Sequence, residues 1–178
     1  IGRASILLVV PASSNLHSMQ DFVKTDRELT YAHAGKVSLS YLAFESMRHN
    51  LNKKFIGVSY PGSGKMLIDL VEGRVDLGIM HVSDVSQYIA KGLLRPLAAF
   101  SDTRVPELPG VPTAKELGIK DGVVYSHYLL VGPKSNAKAD IEVVQSVLTQ
   151  SLNNSDRSQP IDWRDCKFAP ETKDWTVD

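Results

Sequence analysis

The sequence predicts an α/β fold, a mainly parallel β-sheet flanked by helices. Three observations carry this reading. Short β-branched apolar segments alternate with segments of helical period, and the connections between them are short. Glycine follows two of the helical stretches, at Gly73 and Gly92, where a left-handed residue ends a helix. A chain of 178 residues can bury about 70% of its extended surface, so it needs no disulfide or metal to fold.

The elements follow in order. Residues 6–10 are apolar and β-branched and predict a strand closed by Pro11. Residues 18–27 predict a short helix and 29–33 a strand. Residues 38–50 predict a helix with Leu39, Leu42, Ala43 and Met47 on one face. A strand over 55–59 and a helix over 64–72 follow, then a strand over 75–80, a helix over 82–91 and a strand over 93–100. Pro106, Pro109, Gly110 and Pro112 mark a rigid loop. Thr113 and Glu116 have capping-box spacing and predict a short helix stopped by Gly118. A long strand over 123–131 and a helix over 137–152 complete the pattern, the latter with Ile141, Val144, Leu148 and Leu152 on one face. Residues 153–178 are polar and without period.

Composition narrows the function. Twenty Lys and Arg against twenty Asp and Glu leave a net charge of zero, without the basic excess a nucleic-acid binder shows. Charged residues at 22% and hydrophobic residues at 43% match a globular domain, neither disordered nor membrane-spanning. The longest apolar run, Ile6 to Val10, is far short of the roughly 20 residues of a membrane-spanning helix. It leads directly into a patterned domain and reads as a strand rather than a signal peptide. The chain starts at Ile1 without methionine, as a processed or excised segment would. The lone Cys166 cannot form an internal disulfide.

The residues with chemical potential lie in three turns, each between a strand and a helix: Ala34 to Ser38, Tyr60 to Lys65, and Met80 to Ser83. In an open parallel sheet such turns gather at the carboxyl ends of strands, where ligands bind. Helix N-termini there offer unpaired N–H groups and partial positive charge, suited to a carboxylate or phosphate. Ordinary connecting turns have the same composition, so the pattern alone leaves both readings open. A phosphate loop at Gly62 to Lys65 is excluded, because Ser59 replaces the opening glycine and Met66 the magnesium-binding hydroxyl. Ser63 is not in a nucleophile elbow. The histidines lack metal-ligand spacing, and Asp69, Asp76 and Asp84 are scattered. No metal, cofactor or catalytic group is indicated, and the chain reads as a protein that is not an enzyme.

Taken together, several stretches resemble the solute-binding receptors of tripartite tricarboxylate transporters, the Bug family. They are Tyr31-Ala32-His33-Ala34-Gly35, Val58-Ser59-Tyr60-Pro61-Gly62-Ser63-Gly64, Asp69-Leu70-Val71-Glu72-Gly73-Arg74-Val75-Asp76-Leu77, Lys91-Gly92-Leu93-Leu94-Arg95-Pro96-Leu97-Ala98, and Pro109-Gly110-Val111-Pro112-Thr113-Ala114-Lys115-Glu116-Leu117-Gly118. The resemblance runs from about Ile6 to Asn153. It implies a three-layer lobe of the type II periplasmic binding fold, with residues 1–131 as the second lobe. Residues 132–178 would then be a return helix toward an absent first lobe plus a divergent tail. It further implies capture of a small carboxylate for membrane permease subunits, a periplasmic location, and a ligand face of Gly35, Ser38, Tyr60, Gly62, Ser63, Gly64, Met80 and His81. The chain departs from the family at Val37, Tyr41, Pro61 and Met80, where glycine, histidine, lysine and aspartate are usual. Two alternatives stay open: a single-lobe interaction module, which allows a homodimer, and the effector-sensing domain of a transcription regulator.

Overall fold

A computed structural model describes residues 2–51, 53–119, 122–128, 130, 133 and 138–154. The order is β1 (Gly2–Pro11), α1 (Met19–Lys24), β2 (Leu29–His33), α2 (Leu39–Leu51), β3 (Phe55–Ser59), α3 (Ser63–Val71), β4 (Leu77–His81), α4 (Val82–Ala90), β5 (Leu94–Ala99), β6 (Tyr125–Tyr128) and α5 (Lys138–Asn154). One compact unit runs from Ala4 to Ser126, and α5 belongs to a second.

The sheet order is β3-β2-β4-β1-β5, with β6 also pairing with β1. β2 runs parallel to β3 and to β4. β1 is antiparallel to both β4 and β5. Four strands of the path therefore point one way and β1 alone is reversed, so the sheet is mixed in pairing and mainly parallel in direction. The register sets Ile6 opposite His81, which brings the start of β1 to the edge where β2, β3 and β4 end.

Alternate side chains of β1 go to opposite faces, as strand geometry requires. Ile6, Leu8 and Val10 pack with Phe22, Phe44 and Met47 beneath α1 and α2. Leu7 and Val9 pack with Met66, Leu70 and Val85 beneath α3 and α4. All five β1 residues are buried, which explains an unbroken apolar run where a half-exposed strand would alternate. The result is helix, sheet and helix in three layers. At Gly78 a Cβ would lie 2.8 Å from Leu70 Cδ2, so the glycine lets α3 seat closely on β4.

Several expectations need correction. In α2, Leu42 points outward at 56% exposure while Phe44 is fully buried, so the apolar face is turned from the one the spacing suggests. The Thr113–Glu116 capping box forms in both directions, Glu116 N to Thr113 Oγ1 at 3.0 Å and Thr113 N to Glu116 carboxylate at 3.2 Å. It opens only a turn, not a helix, because Gly118, at φ +69°, reverses the chain at once. Of the strand expected over 123–131, Tyr125–Tyr128 forms β6, while residues 123 and 124 precede it without strand pairing and 129 and 131 lie outside the described residues. On α5, Ile141 and Val144 are about half exposed. Residues 155–178, with Cys166 and both tryptophans, lie outside the described residues.

The helix stops behave as the glycines predict. Gly73 and Gly92 have φ of +72° and +68°. Arg74 N and Leu93 N reach back to the carbonyls of Asp69 and Tyr88, closing α3 and α4 with left-handed caps.

Candidate functional site at the carboxyl edge of the sheet

Because β2, β3 and β4 are parallel, the turns after His33, Ser59 and His81 share one edge of the sheet. The helices α2, α3 and α4 all start there. Between their N-termini lies a cavity of about 130 Å³. Its floor is apolar, with Ile6 from β1, Ala34 after β2, Ile79 and Met80 from β4, and Leu39 and Met66 from the helices. Its polar lining is Ser38, Ser40, Ser63, His81 and Asp84.

The three helix ends are finished differently. At α2, Ser38 acts as the cap: its Oγ accepts from Tyr41 N at 3.3 Å and its carbonyl from Leu42 N at 3.1 Å. Its single hydroxyl proton goes to the Gly35 carbonyl at 2.6 Å. In the 3.1 Å contact between the Ser38 and Ser40 hydroxyls, Ser40 must then be the donor. Both protons are held within the chain. Gly35 makes this turn at φ +103°, a conformation that favours glycine.

At α3 the cap position is Gly62, and no side chain caps the helix. A Cβ added at Gly62 or Gly64 would meet nothing within 4 Å, so the first turn of α3 faces open space. At α4 the cap position is His81, again with no side-chain cap bond. These two ends present first-turn N–H groups with no side-chain cap, together with the positive pole of the helix dipole.

Of the eight residues expected on the ligand face, Ser38, Ser63, Met80 and His81 line the cavity. Gly35, Gly62 and Gly64 shape its turns without lining it. Tyr60 turns the other way. It packs against the cluster under α3 and α4, and its hydroxyl donates to Asp69 Oδ2 at 2.9 Å. Burial, and then that bond, push the Tyr60 phenol above its ordinary range. The Tyr60 bond and then the Arg74 guanidinium hold Asp69 below the usual carboxylate range. Tyr60 thus anchors the β3–α3 turn. Lys36 and Lys65 are exposed and outside the lining.

Two polar lining residues, Ser40 and Asp84, are missing from the expected set. Asp84 stands three residues after His81, and its Oδ2 lies 3.6 Å from His81 Nδ1. The i, i+3 spacing across a helix start was the available signal. Among the described residues, no group of three His, Cys, Asp or Glu could hold a metal ion, and no helix is long and apolar enough to cross a membrane.

The profile of the tripartite tricarboxylate transporter family receptors matches residues 1–161. The chain belongs to this receptor family. Curated relatives agree: a UPF0065 protein of Cupriavidus necator is 32% identical over 148 residues, 79% of this chain and 42% of its own length. BugT of Bordetella pertussis is 27% identical over 162 residues, 86% of this chain and 48% of its own. This receptor-family chain therefore spans less than half the length of these relatives. Among solved structures, an R. palustris protein with adipate is 30% identical, with TM-score 0.76, covering 88% of this chain and 53% of that one. MatC of Rhodopseudomonas palustris with bound malate matches at 22% identity and TM-score 0.77, over 92% of this chain and 56% of that one. The periplasmic binding protein BugD shares the fold at 20% identity and TM-score 0.82, over 93% of this chain and 57% of that one. The family is one of substrate-binding receptors rather than enzymes.

Proposed function

We propose that this chain forms the carboxylate-binding lobe of a periplasmic solute receptor, which captures a small organic anion and passes it to the permease subunits of a tripartite transporter. The observation that carries this is the convergence of three helix N-termini on one cavity, two of them without a side-chain cap. The malate and adipate held by the two structural neighbours support the ligand class. In this reading the backbone N–H groups of Ser63, Gly64 and Lys65 and the Ser63 hydroxyl donate to the anion. Ser38 and Gly35 fix the start of α2, Tyr60 fixes the turn before α3, Met80 supplies an apolar wall, and His81 borders the ligand at α4. Nothing in this arrangement calls for a cofactor or a metal.

Three helix ends at about 0.3–1 kcal/mol each, with one or two charge-assisted hydrogen bonds, give this lobe roughly millimolar affinity. Calorimetric titration with mono-, di- and tricarboxylates tests the reading. Saturable binding of at least one carboxylate, lost in Ser63→Asp while the thermal melt is retained, is the expected result. Binding that survives Ser63→Asp at full strength contradicts it.

A second reading, a single-lobe interaction module that pairs with another copy, is favoured by Ile141, Val143, Val144 and Val147 standing exposed on α5. Sedimentation equilibrium of the 178-residue chain distinguishes it: a dimer indifferent to carboxylates would replace the receptor reading.

A further inference from the structure

Five acidic side chains among the described residues are half-buried, and four of them are held by hydrogen-bond donors. Asp21 accepts from the Ser18 hydroxyl at 2.9 Å. Glu45 accepts from Arg48 at 2.6 Å. Asp69 accepts from Tyr60 and Arg74, and Asp76 from the Thr30 amide and hydroxyl, both at 2.8 Å. The fifth is Asp84. Its nearest partner is His81 Nδ1 at 3.6 Å, beyond hydrogen-bond length. It is also the one acid in the lining of the cavity.

The Asp84 side chain is 35% exposed, so water meets its charge in the open cavity; a ligand group that donates to it takes over that role, whereas an apolar one displaces the water without replacing it. Within the lining, the protons of Ser38 and Ser40 are committed to Gly35 and Ser38, the Ser63 hydroxyl stands at the start of α3 where the receptor reading assigns it to the anion, and His81 Nδ1 lies beyond hydrogen-bond length of Asp84 at 3.6 Å. An anion held at the start of α3 would also share the cavity with this negative charge. Both difficulties vanish for one kind of ligand. Resting on the receptor reading above, we propose that Asp84 is the specificity-determining residue of the cavity. It selects carboxylates that carry a hydrogen-bond donor, an amino or hydroxyl group, beside the carboxylate, over plain carboxylates of the same length. The carboxylate sits at the uncapped start of α3, and the neighbouring donor completes Asp84. Asp84 also stabilises α4 from its first turn, but that role affects melting and not the ranking of ligands.

The test is an amide NMR titration of the full 178-residue chain with adipate, 2-hydroxyadipate and 2-aminoadipate, repeated in Asp84→Asn. The unmodified chain is expected to bind 2-aminoadipate about fivefold more tightly than adipate, with the hydroxy acid between them, the order expected for a partly exposed charge pair and a single hydrogen bond. In Asp84→Asn the ratio falls toward one and adipate binds at least as well as before. Adipate binding with an unchanged ratio in Asp84→Asn overturns this inference and leaves the receptor reading intact. No binding of any of the three, to the parent chain or to Asp84→Asn, overturns both.

Discussion

The two ends of the sheet are built to opposite standards. At the end where β2 and β4 begin, polar groups are closed off in pairs. Arg95 donates to the carbonyls of Ala12, Ser14 and Leu16, each at 3.1 Å. Asp76 joins the starts of β2 and β4 through Thr30 and also holds Arg27. At the end where the same strands finish, two helix starts lack side-chain caps, a cavity opens between them, and a half-buried acid is left without a donor. Among the described residues, the polar groups named at one edge are paired within the chain, and those at the other stand open. The difference separates what holds the fold from what is available to a ligand.

The largest effect should come from breaking the closed edge. Arg95→Met leaves three carbonyls without their donor and should cost about 3 kcal/mol, roughly 6–12 °C in a thermal melt for a chain of this size. Carboxylate affinity of the folded fraction should not change. A melt within a degree of the parent would contradict the role given to Arg95.

Asp76→Asn comes next, at about 2 kcal/mol by the same measurement, because two charge-assisted bonds weaken. Its pH dependence follows from the direction of the shift. Burial raises the Asp76 carboxyl, but the Thr30 bonds and the Arg27 pair outweigh it, and the net direction is downward from 3.8. A folded-state value below the unfolded one means stability that is fully present above the unfolded value and is lost as pH falls through the folded one. Between pH 5 and pH 2 the parent should therefore lose stability, and Asp76→Asn should lose measurably less. Parallel pH profiles would refute the assignment.

The smallest change in stability sharpens the comparison most. Gly62→Asp would give α3 the cap it lacks. The backbone there is extended, with φ 173°, and a Cβ meets nothing within 4 Å. A gain of a few tenths of a kcal/mol is expected, seen as a rise of about 1 °C in the melt. Carboxylate binding should be lost, because the new carboxylate occupies the position of the ligand's. Retained binding would place the anion elsewhere.

Much of this was legible before any coordinates. β2 and β3 coincide with their expected bounds, since short segments holding strand-forming residues such as Thr30, Tyr31, Phe55, Ile56 and Val58 are bracketed by helical stretches and turns. The stops at Gly73 and Gly92 followed from backbone sterics alone. The reversed direction of β1 was not legible, because pairing partners are set by long-range register. Nor was the outward turn of Leu42, where packing of Phe44 against Tyr31, with ring centroids 4.2 Å apart, fixes the helix rotation. At the candidate site, the sequence pointed to the three turns that the structure sets around one cavity. It could not show that Tyr60 faces Asp69, that the Ser38 proton goes to Gly35, or that Asp84 enters the cavity. Those depend on which way single side chains point at an edge where three helices meet.

The most direct test of the open edge is to map adipate onto the chain by backbone amide NMR. Shifts that saturate together at Ser63, Gly64, Lys65 and the first turn of α4, with Thr30, Asp76 and Arg95 silent, are the result predicted here. Saturable shifts centred on the closed edge, or none at Ser63 to Lys65 at adipate concentrations well above about 1 mM, would contradict it.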